Sequence, residues 1–212
     1  MKLWHRTNID ISDCYLPGLD MKEYLLSENT MQKHNTFFVD GSGGIWNIPA
    51  VEIFNEKFLK YMHGITKHPI SIVNCFMRWP NYQHPTAHYD CYEYEGEVIQ
   101  HGGGLNWCWE PDNADMVWYK PSADADIVTE KRRNIEMNVS VDIDDTLIEL
   151  DRCNVGQTPT LVNTSEFHSV EMNDRMRIVL SLRFEWVVPW DQHLEVFKDY
   201  IWLLYTSPSS RD

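Results

Sequence analysis

The sequence predicts a mainly β protein with flanking helices, built as an antiparallel sandwich or jelly roll. Seven or eight short segments rich in β-branched and aromatic residues follow one another after residue 69, with turn-forming residues between them. Helical spacing of apolar residues occurs before residue 67 and after residue 189. The 212 residues, of which 43% are hydrophobic, are enough for one domain with a substantial core.

Helical patterns lie at both ends of the β region. Residues 48–66 predict an amphipathic helix, preceded by a glycine-rich turn at residues 40–46, and residues 21–27 predict a shorter helix. The apolar positions that share one face of the longer helix are Val51, Phe54, Phe58, Leu59, Met62 and Ile65. Residues 190–202 predict a closing helix. We expect the helices before the β region to pack on one sheet.

The β region begins with ISIVNCFMRW at residues 70–79, which prolines bound on both sides. The other predicted strands are TAHYDCY near His88, GLNWCW from Gly104, DMVWY from Asp115, IEMNVSVD from Ile135, TLIELD from Thr146, TPTLVN from Thr158 and RIVLSLRFEWVV from Arg177. Residues 111–115 have hairpin composition, and residues 120–134 predict an exposed polar loop. One domain therefore spans residues 1–202, with a helical part to about residue 67 and the β core over about 68–188.

Composition excludes several classes of protein. A formal charge of −14 disfavours binding to a nucleic-acid backbone. Five cysteines without a CxxC pair indicate neither a zinc cluster nor a disulfide framework, and they suit a reducing compartment. No segment has the apolar length of a leader or a membrane span. We expect a soluble, cytoplasmic protein without a membrane partner.

His88 and Asp90 form an HxD motif in HPTAHYDCY. Residues two apart on an extended strand project from the same face, so both side chains can bind one ion. An imidazole and a carboxylate are two parts of a facial triad of two histidines and one carboxylate, which leaves the other positions around iron open. A second histidine is then required, because HxD alone is weak evidence.

The second histidine is His168 in VNTSEFHSVEMNDRMRIVLSLRF, where Arg177 opens a strongly β-forming run. An iron held by three protein groups can accept a 2-oxo acid through its keto oxygen and one carboxylate. The far carboxylate then needs a fixed cation several ångströms away. Arginine suits that task because its planar fork binds a carboxylate through two parallel hydrogen bonds and stays charged at any working pH.

In these motifs the chain resembles the Fe(II)/2-oxoglutarate-dependent oxygenases, which carry HxD, a distal histidine and a basic residue shortly beyond it on a late strand. The resemblance covers residues 70–188 and is densest in AHYD, GLNWCW, DMVWY and FHSV with RIVLSLRF. It is similar above all to small stand-alone members, including those of marine phages and the hydroxylases of free amino acids or peptidyl residues.

The resemblance implies a double-stranded β-helix, a cupin-like jelly roll with the metal at one mouth. It assigns Fe(II) to His88, Asp90 and His168, and the co-substrate 2-oxoglutarate to Arg177. It also implies O2 as oxidant and ascorbate as a reductant, with release of succinate and CO2. The carboxylate of Asp90 predicts hydroxylation rather than halogenation, since a smaller residue there would open a position for halide.

The arginine register leaves an alternative open. Many relatives carry a small hydroxyl residue two positions after the arginine, whereas this chain has Val179 there and Ser181 two further on. Arg175 is the alternative anchor, but it lies in the turn NDRM, so strand pattern favours Arg177. Asn106, inside an apolar strand, is a second candidate contact for the oxo acid or an amide bonded to a nearby loop.

Other polar groups have simpler interpretations. His84 and His101 lie in loop-like segments and are interpreted as solvated, although His101 could face substrate. Residues 102–104 lack the context of a phosphate loop and are interpreted as a flexible lid or turn. The remaining groups are tryptophans expected in the core or pocket wall and acidic residues expected in a solvated turn: Trp107, Trp109, Trp118, Asp142, Asp144 and Asp145.

The substrate carries no motif. By resemblance alone we expect a free amino acid or a peptidyl side chain such as proline. Nucleobase oxidation is the alternative within the class, with a small basic cluster at residues 131–133 as a phosphate contact. A non-catalytic metal-binding jelly roll and a zinc hydrolase are alternatives from other classes, but neither needs the arginine. The sequence does not indicate an oligomeric state.

Residues 203–212, LLYTSPSSRD, resemble one reading frame of a transposon adapter used in DNA sequencing libraries. We interpret this tail as non-biological and the source as a fragmentary read, so the natural C-terminus could lie further on. Deleting residues 203–212 is therefore expected to leave the melting temperature and the activity nearly unchanged. A large loss of either in the truncated protein would show that the tail is native.

Overall fold

The computed structural model describes residues 2–39, 42–80, 86–95, 97–110, 114–131, 136–172, 174–184 and 188–202. Two antiparallel sheets form most of this part of the chain, and short helices flank them. The predicted class, mainly β with flanking helices, is confirmed. Residues 203–212 and the proposed adapter sequence lie outside the described residues.

Fourteen strands are present in the described residues, more than the seven or eight predicted. In chain order they are β1 (Trp4–Arg6), β2 (Asn35–Val39), β3 (Gly43–Pro49), β4 (Ile72–Arg78), β5 (Thr86–Tyr94), β6 (Glu97–Gln100), β7 (Gly104–Cys108), β8 (Asp115–Pro121), β9 (Ile127–Lys131), β10 (Glu136–Asp142), β11 (Leu147–Asn154), β12 (Thr160–Val162), β13 (His168–Glu171) and β14 (Arg177–Leu182). All eight predicted strands are present. Of the additional strands, β3 has seven residues and lies between β4 and β2, and the other five have five residues or fewer.

The first sheet has the strand order β1-β12-β7-β14-β4-β3-β2. The second has the order β11-β8-β13-β5-β10-β9, and β6 also pairs with β5. Successive strands of the β region therefore alternate repeatedly between the sheets. The inner faces of both sheets line one cavity, which holds the candidate site.

Four α-helices occur in the described residues: α1 (Met21–Leu26), α2 (Glu28–His34), α3 (Glu56–Thr66) and α4 (Trp190–Phe197). Buried residues of α1, α3 and α4 belong to one apolar cluster with the outer face of the first sheet. Alternation along β14 explains this packing, because Ile178, Leu180 and Leu182 join that cluster while Arg177 and Val179 line the cavity. The prediction that helices pack on one sheet is confirmed.

The predicted helix over residues 48–66 is wrong in its first half. Residues up to Pro49 belong to β3, where Ile48 pairs with Val73 of β4, and a 3-10 turn follows over Ala50–Glu52. The helix α3 begins at Glu56 because the side chain of Asn55 accepts a hydrogen bond from the Phe58 amide at 2.9 Å. Strand pairing and the capping residue therefore override the helical spacing.

Two predicted irregular segments contain strands. Residues 43–46 of the predicted glycine-rich turn at residues 40–46 belong to β3, because Gly43 and Gly44 pair with β4. Residues 40 and 41 lie outside the described part. The loop over residues 120–134 contains β9, which pairs with β10 over five residue positions. Of the hairpin predicted at residues 111–115, residues 111–113 are outside the described part.

Within the described residues, no helix has the length and apolar character needed to cross a bilayer.

Glycine 102 fills a tightly packed position between the sheets and α4. It is buried, and a methyl group there would overlap with the carbonyl oxygen of Val188 and lie 3.0 Å from the imidazole of His193. Gly103 is also buried, and a methyl group would lie 2.9 Å from the Val162 carbonyl oxygen. Gly104 begins β7. The lid or turn expected at residues 102–104 is therefore a packed segment leading into a strand.

We expect Gly102→Ala to destabilise the protein by about 1–3 kcal/mol, the usual cost of overpacking a filled interior. Gly64→Ala is the matched control, because Gly64 is exposed in α3 and nothing lies within 4 Å of an added methyl group. Alanine there should stabilise the helix by roughly 0.5–1 kcal/mol. Thermal unfolding of both variants measures the difference. Equal melting temperatures would contradict the packing described here.

Candidate metal centre

Strand β5 presents the HxD motif to the cavity between the sheets. His88 and Asp90 share one face of the strand, as their spacing predicts, and their side chains approach to 3.7 Å between His88 Nε2 and Asp90 Oδ1. Two backbone bonds hold the strand at Asp90, whose amide donates to Thr164 and whose carbonyl accepts from the amide of His101. The imidazole is partly exposed and the carboxylate less so, at 36% and 23%. The pair therefore lies at the edge of a buried space.

Strand β13 brings the distal histidine to the same point. His168 pairs directly with His88 across the two antiparallel strands, and the ring centroids are 4.7 Å apart. One ligand atom from each of His88, Asp90 and His168 lies within 4.8 Å of the others. Among the described residues, no other group of three such side chains meets this spacing. The sheet thus assembles the three residues predicted from the sequence.

The buried imidazole of His168 is oriented for coordination. Its Nδ1 lies 2.9 Å from the carbonyl oxygen of Glu166, a distance at which Nδ1–H donates and leaves the lone pair on Nε2. Burial lowers the pKa of His168. The ring is therefore neutral at physiological pH, which is the form that binds a metal.

Arg183 forms an ion pair with the carboxylate of Asp90. Its Nη2 lies 2.7 Å from Asp90 Oδ2, and its Nη1 donates to the hydroxyl of Thr164 at 3.1 Å. Burial acts to raise the pKa of Asp90, but the charge of Arg183 and the imidazoles of His168 and His88 outweigh it, so this pKa lies well below its usual range. Asp90 is therefore ionised at any working pH, with one oxygen toward Arg183 and one toward the histidines.

The cavity containing these residues has a volume of about 140 Å³. It is lined by both sheets, with described residues of three kinds: the three candidate ligands, three arginines, and a mainly apolar wall. Its lining residues are Ile45, Phe76, Arg78, His88, Asp90, Asn106, Met116, Thr164, His168, Ser169, Val170, Met172, Arg177, Val179 and Arg183. The cavity therefore joins a possible metal position to a chamber with three arginines and a mainly apolar wall.

Arg177 lies in this chamber and Arg175 does not. Arg177 is buried at 5% exposure on the inner face of β14, whereas Arg175 is exposed before the strand begins. Val179 shares the inner face with Arg177 and lines the same cavity. Of the two arginines considered from the sequence, Arg177 is therefore the one that lines the cavity.

Ser181, two positions beyond Val179, contacts Asn106 rather than the cavity. Its hydroxyl donates to Asn106 Oδ1 at 2.6 Å between the paired strands β14 and β7. Oδ1 accepts this hydrogen bond, and both N–H donors of Asn106 are on Nδ2. The asparagine lines the cavity, so this amide is available to an acceptor there.

The other groups singled out from the sequence lie outside the cavity where the structure describes them. His101 is half-buried rather than solvated, and burial lowers its pKa, with the charge of Arg183 acting in the same direction. Trp107 and Trp118 are core residues, as expected, with Trp109 packed against the core. The acidic turn is exposed at Asp142, Asp144 and Asp145, as expected. His84 and residues 132 and 133 lie outside the described part of the chain.

Three residues of the site were not predicted from the sequence: Arg78, Thr164 and Arg183. Arg183 could have been found, because alternation along β14 continues from Arg177 through Val179 and Ser181 to the same face at position 183. Arg78 closes a predicted strand, but nothing in its sequence neighbourhood shows that this strand pairs with β14. Thr164 lies in a connection, and its contacts have no sequence signature.

Comparison of the chain with protein-family models, curated proteins and solved structures gave no match.

Proposed function

We propose that the chain is an Fe(II)- and 2-oxoglutarate-dependent dioxygenase that hydroxylates a small-molecule or side-chain substrate. The observation that carries the proposal is that His88, Asp90 and His168 converge in one cavity with the buried Arg177. Two imidazoles and a carboxylate are the ligand set of non-haem Fe(II) oxygenases. A buried cation in the same chamber suits the far carboxylate of an oxo acid. Neither a zinc hydrolase nor a structural metal site requires a buried arginine in the same cavity.

The strand order supports a double-stranded β-helix, the finer form of the fold in this proposal. Eight strands alternate between the sheets, as β12-β7-β14-β4 in the first and β11-β8-β13-β5 in the second. Four strands in each sheet, with antiparallel neighbours that are distant in sequence, are typical of a jelly roll. In this arrangement β9 and β10 are an insertion between β8 and β11. The candidate ligands then lie on adjacent strands at one end of the double sheet.

The residues present fit Fe(II) and 2-oxoglutarate. His88, Asp90 and His168 would hold the metal, Arg177 would bind the far carboxylate, and the Asn106 amide would donate to the oxo acid. Bound Fe(II) would supply the oxidation of a substrate C–H bond to C–OH by O2, with 2-oxoglutarate converted to succinate and CO2.

The protein itself supplies orientation, charge and exclusion of water. Glu166 fixes the tautomer of His168, and Arg183 keeps Asp90 ionised and aligned. The apolar residues Phe76, Met116 and Val179 line the chamber. Their surfaces keep water from competing with the reactants and strengthen the charge interactions of Arg177.

The proposal is tested by measuring succinate formed from 2-oxoglutarate by the purified protein with Fe(II), ascorbate and O2. We expect oxygen-dependent turnover that His168→Ala abolishes together with iron binding, because a facial site cannot retain the ion with two ligands. His63→Ala, on the exposed side of α3, is the matched control and should retain both. Absence of both 2-oxoglutarate binding and succinate formation in the wild-type protein would leave a non-catalytic metal-binding module.

The role of Arg177 is tested separately. Arg177→Gln should raise the half-saturating 2-oxoglutarate concentration by about tenfold or more while iron stays bound, because a charged hydrogen-bonding partner is lost. For Arg177→Lys, the half-saturating concentration should lie between those of the wild type and Arg177→Gln. Lysine keeps the positive charge but loses the two parallel hydrogen bonds of the guanidinium group. Arg175→Gln, a matched exposed arginine, should match the wild type. If Arg175→Gln raised the requirement instead, the anchor would be Arg175.

A further inference from the structure

The apolar part of the cavity wall continues to the edge of the first sheet. Phe76 of β4 pairs with Val179 of β14 on one side and with Ile45 of β3 on the other. Ile45 pairs in turn with Phe37 of β2, the last strand of this sheet in the described part of the chain. Paired residues on neighbouring strands present their side chains to the same face of a sheet. The four side chains therefore form one line across the sheet, which we call the apolar row.

The whole apolar row faces inward. Three of its four members line the cavity that contains the candidate metal ligands. On β2 the next residue, Phe38, contacts Trp46 of β3 with 6.0 Å between the ring centroids. Both rings belong to the apolar cluster on the outer face of the first sheet. Because side chains alternate along a strand, Phe37 lies on the opposite, inner face.

Burial increases along the apolar row from the sheet edge to the cavity. Phe37 is 50% exposed, Ile45 and Phe76 are half-buried, and Val179 is 3% exposed. Val39, two residues after Phe37 on the same face of β2, is 45% exposed. Single exposed apolar side chains are common on protein surfaces, but these belong to a continuous apolar surface. That surface leads from solvent to the candidate metal ligands.

The apolar row is one side chain wide. On one side of it, Asn47 of β3 pairs with Asn74 of β4, which pairs with Ser181 of β14. On the other side, Gly43 of β3 pairs with Arg78 of β4. Of these three rows, only the apolar row has a hydrocarbon side chain on every strand from β2 to β14. Its narrow shape suits an unbranched chain better than a compact apolar body.

The length and direction of the apolar row also select the ligand. Neighbouring strands are about 4.8 Å apart, so the row covers about 14 Å from β2 to β14. An extended hydrocarbon chain with bonds of about 1.5 Å advances about 1.25 Å per bond, so about ten to twelve carbons match the row. A peptide strand added to the edge of β2 would run parallel to β2, across the direction of the row, and would not enter the cavity.

We propose that the apolar row binds an extended hydrocarbon chain of the primary substrate, with one end of the chain in the cavity beside the candidate metal ligands. The role in the reaction rests on the proposed function, whereas binding of the chain does not. In that reaction a C–H bond near the inner end of the chain becomes C–OH. One atom of O2 enters this hydroxyl group, and the other enters the succinate that forms from 2-oxoglutarate with loss of CO2.

Binding is tested by calorimetry on the protein without added metal, with 1-hexanol, 1-octanol and 1-decanol each below its solubility limit. We expect the affinity to rise about two- to fourfold for each added CH2 group, because each group buries further apolar surface on the row. The compact alcohol 1-adamantanol has as many carbons as 1-decanol. It should bind about tenfold or more weakly, because it contacts fewer strands.

The outer end of the apolar row is tested with Phe37→Ser. Binding of 1-decanol should weaken about fivefold or more, while 1-hexanol, which ends before β2, should bind as it does to the wild type. Phe37→Leu should restore most of the loss. Ile148→Ser is the matched control and should behave as the wild type, because Ile148 is 58% exposed on the edge strand of the other sheet. Melting temperatures show whether each variant is folded, and Phe37→Thr replaces Phe37→Ser if the latter is not.

The role in the reaction is tested with Fe(II), 2-oxoglutarate, ascorbate and O2. The three compounds 1-decanol, decanoate and decanamide share one chain length and differ in the head group. We expect at least one of them to raise succinate formation and to gain one oxygen atom, as measured by mass spectrometry. Phe37→Ser should reduce that increase, and Ile148→Ser should not.

The binding proposal is overturned if no alcohol binds, if the affinity does not rise with chain length, if 1-adamantanol binds as well as 1-decanol, or if Phe37→Ser changes nothing. A wild-type dimer that binds no chain and dissociates in Phe37→Ser would show that a second copy covers the row. If chains bind but none of the three compounds changes the succinate formed by an active protein, the role in the reaction is wrong. Failure of the dioxygenase assignment gives a different result, namely no 2-oxoglutarate binding and no succinate with any compound, and calorimetry still decides whether the row binds a chain.

Discussion

The pairing of β13 with β5 places His168 directly opposite His88, and the rest of the site depends on this register. A slip of one residue would turn His168 to the other face of the sheet, because side chains alternate along a strand. The register is fixed less by β5 than by β8, with which β13 pairs over all four of its residues. Trp118 of β8 anchors that pairing from the core, where its indole donates to the Asn163 carbonyl at 2.7 Å.

A second constraint is the charge of Asp90, whose side chain lies at the edge of the cavity with 23% of its surface exposed. A carboxylate in this position needs a cation, and Arg183 supplies it from the end of the neighbouring sheet. The same guanidinium donates a hydrogen bond to the hydroxyl of Thr164. The carbonyl oxygen of Thr164 in turn accepts a hydrogen bond from the amide of Asp90. This closed set of contacts joins the strand that carries the carboxylate to the strand that carries Arg177. The three candidate metal ligands and Arg177 are thereby held in one frame.

The sequence was sufficient for the parts of the molecule that depend on neighbouring residues. His88 and Asp90 share a face because they are two apart on a strand, and Arg177 lies inward because its neighbours alternate with it. The helix over residues 48–66 was half wrong because β3 is stabilised by β4, a partner that lies beyond the helix in the chain. The spacing of apolar residues within a segment does not show which distant strand it pairs with.

The arginines illustrate the same limit within the site. Arg177 was identified from a spacing, whereas the position of Arg78 depends on β3, where Gly43 leaves room beside it. Arg183 lies beyond the last residue of β14, and its role depends on a carboxylate in the other sheet. Contacts between sheets determine these roles, and local sequence patterns do not contain them.

The single residue pair between β13 and β5 has a consequence for the folding of the protein. Because the candidate ligands come from two strands joined at one position, an ion bound there would act as a cross-link between them. Binding to the folded chain alone would add to the stability of the sandwich by mass action. The supply of metal would then govern how much of the protein is folded as well as how much is active.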